Sequence, residues 1–297
     1  MHLFRPCRLF ACFGIVALLA CARPLGEAEE SRHSLFRVNG GSATVYLAGS
    51  VHLLRESDYP LHPVFDEAFR DADALAFEVA FESFDSPETQ ALVSREAVLP
   101  GGTALGDAVS PETLALVRAA LENLGIDPSS FDHLQPWFVA LTITVRTLEG
   151  KGFSPDHGLD RHFHERAVDA GKPRMALETV EDQILRFSAL PLDLQDQWLL
   201  QSLEDIDRLD RMMERTTAAW KTGNMKGLEE QLLMSFERHP ELYESLLAGR
   251  NRNWTPQIEA MLEADRTVLV VVGAAHLLGG EGLVTLLREA GYEVRQL

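Results

Sequence analysis

The sequence contains few of the features that mark membrane-spanning, nucleic-acid-binding or disulfide-rich proteins. No apolar run reaches the roughly 18 residues that a transmembrane helix needs. Lysines and arginines number 27 against 45 aspartates and glutamates. This shortage of cations argues against nucleic acid as a partner and against a basic surface for anionic lipid. All three cysteines lie within the first 21 residues, so the remaining chain can form no disulfide, cysteine metal site or cysteine nucleophile.

The N-terminal residues have the pattern of an export signal. Two arginines precede an apolar stretch at residues 9–20, a combination that is typical of a cleaved secretory signal. The stretch ends in Leu-Leu-Ala-Cys21, which resembles a bacterial lipobox, where cleavage before the cysteine frees it to carry a diacylglycerol. We therefore expect a lipoprotein-type signal peptide at 1–20 and a lipid anchor at Cys21 in the bacterial cell envelope, at the outer membrane rather than the inner. The alternative is an ordinary signal that is cleaved nearby, with Cys21 incidental.

Beyond a polar tether at 21–34, the chain predicts an α/β domain over 35–297. β-Branched and apolar runs predict strands at 44–49, 74–80, 174–178, 267–272 and 292–295. Helical patterns lie at 63–71, 159–170 and 282–290. This order predicts a mixed, largely parallel central sheet built from two strand–helix–strand units that bear Gly-x-x-His. The mostly helical sequence between the two units predicts a large helical insertion at about 105–265.

Two helices of the insertion have clear sequence signals. Ser110 and Pro111 supply the cap and the first-turn proline of a helix that ends before Gly125. Residues 192–220 carry apolar side chains every three or four positions, which predicts one helix that packs on the core and ends at Gly223.

The most informative feature is an internal repeat. Gly49-Ser-Val-His52 and Gly273-Ala-Ala-His276 each follow an apolar strand, within segments that align without a gap. In an open α/β sheet, the carboxyl ends of the strands face the crevice where ligands bind. The two histidines are 224 positions apart, and adjacent strands of one parallel sheet would bring them together. For each histidine taken alone, a hydrogen-bonded structural role is the alternative.

Two glutamates occupy comparable positions. Glu78 and Glu178 each end an apolar strand, where an ionised carboxylate is costly unless it is paired or metal-bound. Two imidazoles and one carboxylate form the donor set of an open metal site, whose bound water becomes a nucleophile near neutral pH. A second carboxylate could move the proton. The alternative for each glutamate is a helix-cap partner or a structural ion pair.

Three further residues are candidates on weaker signals. Asp160 lies in a segment at 156–164 that is rich in metal-ligand residue types, which a solvated polar face explains about as well. Arg250, followed by Asn251, could hold a developing oxyanion or cap a helix. The sequence contains no phosphate-binding glycine loop, no Gly-x-Ser-x-Gly and no His-Glu-x-x-His, so the chemistries of those motifs are not predicted.

In their order and spacing, these motifs resemble the TraB/GumN family, and through it the Tiki-type metalloproteases. The motifs are Gly49-Ser-Val-His52, Phe77-Glu78, Gly158-Leu-Asp160, Leu177-Glu178-Thr-Val-Glu-Asp-Gln183, Arg250-Asn251 and Gly273-Ala-Ala-His276-Leu-Leu-Gly. Family members typically have threonine where Ser50 stands, and the hydroxyl is kept. The resemblance covers about 35–297. It implies a mixed α/β core with a helical insertion, and a paired Gly-x-x-His site with a glutamate that Tiki-like proteins use for metal-dependent peptide hydrolysis.

The sequence and the resemblance together predict an envelope lipoprotein that is a metal-dependent hydrolase, with a peptide or small-molecule substrate. The bound ion would be zinc, manganese or cobalt. The expected roles are metal binding by His52, Glu78 and His276, base or further ligand for Glu178, oxyanion stabilisation by Arg250, and support from Asp160 and Asn251. The alternative is a non-enzymatic lipoprotein whose same cleft binds a ligand, haem or metal. A third possibility is an adaptor that engages an exported partner through residues 191–222.

Overall fold

Six strands form one sheet in the structure, a computed structural model that describes residues 32–297. The predicted signal peptide, Cys21 and most of the predicted tether lie outside the described residues. The strands are β1 (Leu35–Asn39), β2 (Val45–Ser50), β3 (Ala74–Phe77), β4 (Arg174–Ala176), β5 (Val268–Gly273) and β6 (Glu293–Gln296). Their order is β4-β3-β5-β2-β1-β6, with β4, β3, β5 and β2 parallel and β1 antiparallel to both of its neighbours. The predicted mixed, largely parallel sheet is confirmed, although β1 was not among the predicted strands.

The central strands β2, β3 and β5 are buried along their whole length. Their continuous apolar sequences suit parallel strands, because such strands are covered on both faces. In the β2–β5 pair, Gly49 lies opposite Val272 and Ser50 lies opposite Gly273. The two repeats therefore end side by side, offset by one residue, on adjacent parallel strands.

Helices account for much of the rest of the described chain. The α-helices are α1 (Pro63–Asp71), α2 (Pro87–Glu96), α3 (Leu105–Ala108), α4 (Pro111–Asn123), α5 (Pro136–Gly150), α6 (Leu159–Asp169), α7 (Val180–Ser188), α8 (Leu192–Glu204), α9 (Leu209–Lys221), α10 (Met225–Leu232), α11 (Pro240–Tyr243), α12 (Gly249–Leu262) and α13 (Leu283–Glu289). Among residues 32–297, no helix combines the length and the apolar character required to cross a bilayer.

Local sequence signals determine where several helices begin. α1 begins at Pro63, because a proline at the first helical position loses no hydrogen bond. α4 begins at Pro111, and Ser110 Oγ accepts the N–H of Thr113 at 3.0 Å. The helices predicted at 63–71 and after Ser110 are confirmed.

The helix predicted over 192–220 is not continuous. It stops after α8, passes through a three-residue 3-10 helix at Ile206–Arg208 and resumes as α9. The apolar stripe spans two compact units, since one unit includes Thr179–Asp210 and the other includes Arg211–Leu297, which gives a physical reason for the break. Leu203 packs in a helical core with Leu199, whereas Trp220 donates its indole N–H to the carbonyl of Gly49 at the end of β2.

The described chain divides into two compact units. The helical unit comprises Phe81–Phe153 and Thr179–Asp210, and its apolar core includes Val117, Leu121, Ile143, Leu199 and Leu203. The sheet unit comprises residues 32–80, Ser154–Glu178 and Arg211–Leu297. The chain between the two segments of the helical unit, Ser154–Glu178, belongs to the sheet unit and carries α6 and β4. The predicted insertion at about 105–265 stays a prediction.

Candidate functional site

The strand order brings the sequence motifs to one edge of the sheet. β2, β5, β3 and β4 are parallel neighbours, so their carboxyl ends lie together. His52 follows β2 by two residues, Glu78 follows β3 directly, and His276 lies in a short 3-10 helix after β5. The N–H of Glu178 donates to the carbonyl of Glu78 at 2.9 Å, which continues the pairing of β3 and β4 to both glutamates.

His52, Glu78 and His276 converge. His52 Nε2 lies 3.9 Å from Glu78 Oε1, and His276 Nε2 lies 3.8 Å from the same oxygen. All three residues are buried, with 8% of His52, 8% of Glu78 and 1% of His276 exposed. Two imidazole nitrogens and a carboxylate oxygen, from distant parts of the chain, therefore face one another in a poorly solvated place.

Gly273 makes this convergence sterically possible. Its N–H donates to Glu78 Oε1 at 2.7 Å. A Cβ atom at this position would lie 2.9 Å from His52 Nε2 and 3.3 Å from Glu78 Oε1. The close approach of these two side chains to the backbone explains why the second repeat has glycine at this point.

Arg250, near the start of α12, is the cation of the cluster. Its Nη2 donates to Glu78 Oε2 and, at 2.7 Å, to Glu178 Oε1, while its Nε donates to Glu178 Oε1 at 3.0 Å. Its Nη1 donates to the carbonyl of Leu246 at 3.1 Å and to His276 Nε2 at 3.0 Å. The five guanidinium N–H groups thus all have acceptors.

These contacts bear on two of the predicted roles. Every N–H of Arg250 has an acceptor in this arrangement, and the predicted oxyanion role stays a prediction. The helix-cap alternative does not describe Arg250, because four of its hydrogen bonds go to side chains of the cluster. The Glu178 carboxylate pairs with Arg250, as the ion-pair alternative for this glutamate expects.

The Glu78 carboxylate is held in its charged form. Burial alone would raise the pKa of Glu78, but the Arg250 guanidinium, then the two imidazoles and the Gly273 N–H, hold that pKa well below its usual range. The site therefore keeps a negative charge between the two histidines at neutral pH.

Hydrogen bonds determine the tautomer of His276. The amide nitrogen of Asn251 donates to the carbonyl of Glu281 at 2.7 Å, so Asn251 Oδ1 is free to act as an acceptor. His276 Nδ1 lies 2.6 Å from this oxygen and donates to it. His276 Nε2 consequently carries the lone pair, and it accepts from Arg250. Asn251, predicted as a supporting residue, thus contacts a predicted ligand directly.

His52 has a different partner. Its Nδ1 lies 3.2 Å from Asp160 Oδ1, and the same oxygen accepts the hydroxyl of Ser50 at 2.7 Å. The Asp160 N–H, in the first turn of α6, donates back to Ser50 Oγ at 3.2 Å. Burial by itself lowers the pKa of His52, but Asp160, and then Glu78, outweigh this effect and raise the pKa above its ordinary value. Asp160, like Asn251, is therefore placed beside a predicted ligand.

Two histidines of the 156–164 segment pack against aromatic rings. The His162 ring lies 5.1 Å from the ring of Tyr59, and the His164 ring meets Phe77 edge-on at 5.8 Å. Asp160 contacts Ser50 and His52 through its side chain, and the Leu159 N–H donates to the carbonyl of Val51 in the same motif at 3.2 Å.

Trp254 is a member of the site that the sequence analysis did not identify as such. Its ring lies 4.5 Å from Arg250 Cζ and 4.5 Å from the ring of His276. Trp254 therefore packs against both groups and shields them from water. The sequence signal that could have identified Trp254 is its spacing of four residues from Arg250, because this spacing places both side chains on one face of a helix.

A divalent cation is what the resemblance implies for this cluster. His52 Nε2 is a buried nitrogen without a hydrogen-bond partner among the described residues, and Gly273 has no side chain to fill the space beside it. His276 Nε2 already accepts from Arg250. As it stands, no group of three or more His, Cys, Asp or Glu side chains within residues 32–297 is arranged to hold a metal ion. If the hydrogen bond from Arg250 to His276 opens, the cluster offers two imidazole nitrogens and one carboxylate oxygen. These are donor types that Zn²⁺, Mn²⁺ and Co²⁺ accept.

Comparison with known proteins supports the resemblance. The TraB/PrgY/gumN family model matches residues 34–296. The chain is 28% identical over 251 residues to the uncharacterized protein YbaP of Escherichia coli (strain K12). This match covers 84% of this chain and 89% of that protein. YbaP of Shigella flexneri is similar to the same degree. No solved structure matches the chain.

Proposed function

The chain belongs to the TraB/PrgY/gumN family, and we propose that it is a metal-dependent hydrolase of peptide bonds in the bacterial envelope. One observation carries this proposal. The Nε2 atoms of His52 and His276 lie 3.9 and 3.8 Å from a single oxygen of Glu78. A structural role for each histidine separately would not require both to face one carboxylate.

The side chains around the two histidines orient their imidazole rings for metal binding. Asp160, held by Ser50, contacts Nδ1 of His52 and leaves Nε2 toward Glu78. Asn251 holds His276 in the tautomer whose Nε2 lone pair faces the cluster. Such outer partners orient ligand imidazoles and raise their basicity. A divalent cation bound by His52, Glu78 and His276 would supply a water that is acidic enough to become a nucleophile near neutral pH.

Glu178 was expected to be a base or a further ligand, and that role stays a prediction. Its carboxylate is engaged by Arg250 through both Nε and Nη2. These contacts favour a charge-balancing role, in which Glu178 keeps Arg250 beside Glu78. Among residues 32–297, His52 Nε2 has no hydrogen-bond partner, so this nitrogen remains available for a cation.

We also propose that the protein is anchored in the envelope by a lipid on Cys21. The support is the sequence pattern alone, because Cys21 lies outside the described residues. Two arginines, a 12-residue apolar stretch and a final Leu-Leu-Ala-Cys21 are the features of a lipoprotein signal.

The test of the hydrolase proposal is turnover of a fluorogenic peptide library by the mature protein in Mn²⁺, Co²⁺ or Zn²⁺. We expect turnover that a chelator abolishes, with about one bound cation per chain by metal analysis, and loss of both in His52→Ala and His276→Ala. His239→Ala is the matched control, since His239 is half-buried in the sheet unit and outside the cluster. Tight binding of a ligand without turnover would support the non-enzymatic alternative. Undiminished metal binding in the His52→Ala/His276→Ala double variant would reject this site.

A further inference from the structure

We propose that Arg250 is a built-in cation that competes with the divalent metal ion for the Glu78–His276 side of the site. This inference rests on the proposed function, because it concerns how the chain controls metal binding at the same cluster. Its basis is that the guanidinium contacts two of the three expected ligands, Glu78 and His276, at the atoms or groups that a metal would use.

The competition at His276 follows from its tautomer. Nδ1 carries the hydrogen, because it donates to Asn251 Oδ1 at 2.6 Å. The ring therefore offers a single lone pair, on Nε2, and Arg250 Nη1 donates to it at 3.0 Å. One lone pair cannot accept this hydrogen bond and bind a cation at once. Metal binding through His276 requires that Arg250 release it.

The competition at Glu78 is electrostatic. Arg250 is 3% exposed and forms buried ion pairs with the carboxylates of Glu78 and Glu178. It neutralises part of the negative charge that would attract a divalent cation. Because a poorly solvated site screens charges weakly, the guanidinium also repels a cation bound nearby.

The same arrangement gives Arg250 a role when no metal is bound. Without a cation, Glu78 and Glu178 would be two buried carboxylates with no strong counter-charge, which is destabilising. Arg250 holds both, with the ring of Trp254 packed 4.5 Å from its Cζ atom. The chain is thereby stable before it acquires metal, and the strength of the Arg250 contacts sets how tightly metal binds.

The experiment compares metal binding by the mature wild-type protein, Arg250→Met and Arg252→Met. Arg252 is a matched control, because it is an exposed arginine two residues further on that pairs with Glu244 and Glu281. Mn²⁺ and Zn²⁺ affinities are measured by calorimetric titration, and the rise of the melting temperature with metal is measured in parallel. We expect Arg250→Met to bind metal at least about tenfold more tightly than wild type and to gain more thermal stability from it. Arg252→Met should match wild type.

A second variant covers the case in which Arg250→Met does not fold without metal. In Glu178→Gln/Arg250→Met one of the buried carboxylates is neutral, so less charge is left uncompensated, and tighter metal binding than wild type is again expected. Equal or weaker metal binding by both folded variants would overturn the inference while leaving the hydrolase proposal standing. Absence of metal binding from wild type and from both variants would overturn the proposed metal site itself, and the inference with it.

Discussion

Asn251 Oδ1 accepts a hydrogen bond from His276 Nδ1 across 2.6 Å. Because Arg250 donates to the other ring nitrogen, two consecutive residues of α12 hold both nitrogens of one imidazole. The ring is thus restrained in orientation and in tautomer by a single helix. This arrangement explains how a histidine that follows β5 becomes a defined part of a site assembled from several segments.

Replacing Asn251 should destabilise the fold. In Asn251→Leu the N–H of His276 Nδ1 would be buried without an acceptor, which costs about 1–3 kcal/mol. The free energy of unfolding from denaturant titration measures this loss. Asn253→Leu, at an exposed position of the same helix, should change the free energy of unfolding by less than about 0.5 kcal/mol. Equal effects of the two substitutions would contradict the assigned tautomer.

Gly273→Ala should disturb the cluster directly. The new Cβ would lie 2.9 Å from His52 Nε2, and forcing these groups apart costs about 1–3 kcal/mol. We expect a lower melting temperature together with loss of peptide turnover and metal binding. Gly280→Ala is the control, because a Cβ there has no atom within 4 Å. Normal activity in Gly273→Ala would show that the space beside His52 is not used.

Asp160→Asn should weaken the site without unfolding the protein. The substitution keeps the shape of the side chain and removes the negative charge 3.2 Å from His52 Nδ1. Loss of such an outer partner typically lowers metal affinity or activity by about 10–100-fold. Metal titration and steady-state kinetics provide the measurement. Asp156→Asn, at an exposed position before α6, should leave both unchanged, and a wild-type affinity in Asp160→Asn would remove Asp160 from the site.

Trp220→Phe tests how the end of β2 is held. The indole N–H of Trp220 donates to the carbonyl of Gly49 at 2.6 Å, and phenylalanine cannot replace that bond. Trp137→Phe is a suitable comparison, since Trp137 is fully buried and its N–H has no partner among the described residues. We expect Trp220→Phe to lower the free energy of unfolding by about 1 kcal/mol more than Trp137→Phe. The reverse order would mean that the hydrogen bond contributes nothing.

The lipid anchor has its own test. Cells that express the protein should incorporate radiolabelled palmitate into it, and the wild type should fractionate with membranes. Cys21→Ser should abolish the label, because no other cysteine follows position 21. Label that persists in Cys21→Ser, or is absent from the wild type, would favour an ordinary cleaved signal.

Several features of the fold were predictable because they depend on neighbouring residues. The continuous apolar runs that became β2 and β5 are typical of strands covered on both faces. Proline behind a capping residue marked the start of α4. The prediction of one helix over 192–220 was wrong, because the apolar stripe could not reveal that Leu203 and Trp220 belong to different compact units.

The sequence predicted which residues form the candidate site better than it predicted the contacts between them. The repeated Gly-x-x-His singled out His52 and His276, and the ends of apolar strands singled out Glu78 and Glu178. The sequence could not show that Arg250 would use four of its five N–H donors on side chains of the cluster. Such hydrogen bonds depend on separations of about 3 Å between segments that are far apart in the chain.

The sequence by itself determined five of the six strands, many of the helix ends and the residue types available for chemistry. The spacing of apolar residues, helix capping and backbone freedom each act over a few neighbouring residues. Only the tertiary structure decided which of those residues meet. The order β3-β5-β2 places Glu78, His276 and His52 at one edge, and α12 brings Arg250 between Glu78 and Glu178. These contacts arise from the pairing of strands and the packing of a helix against them, and no local pattern specifies either.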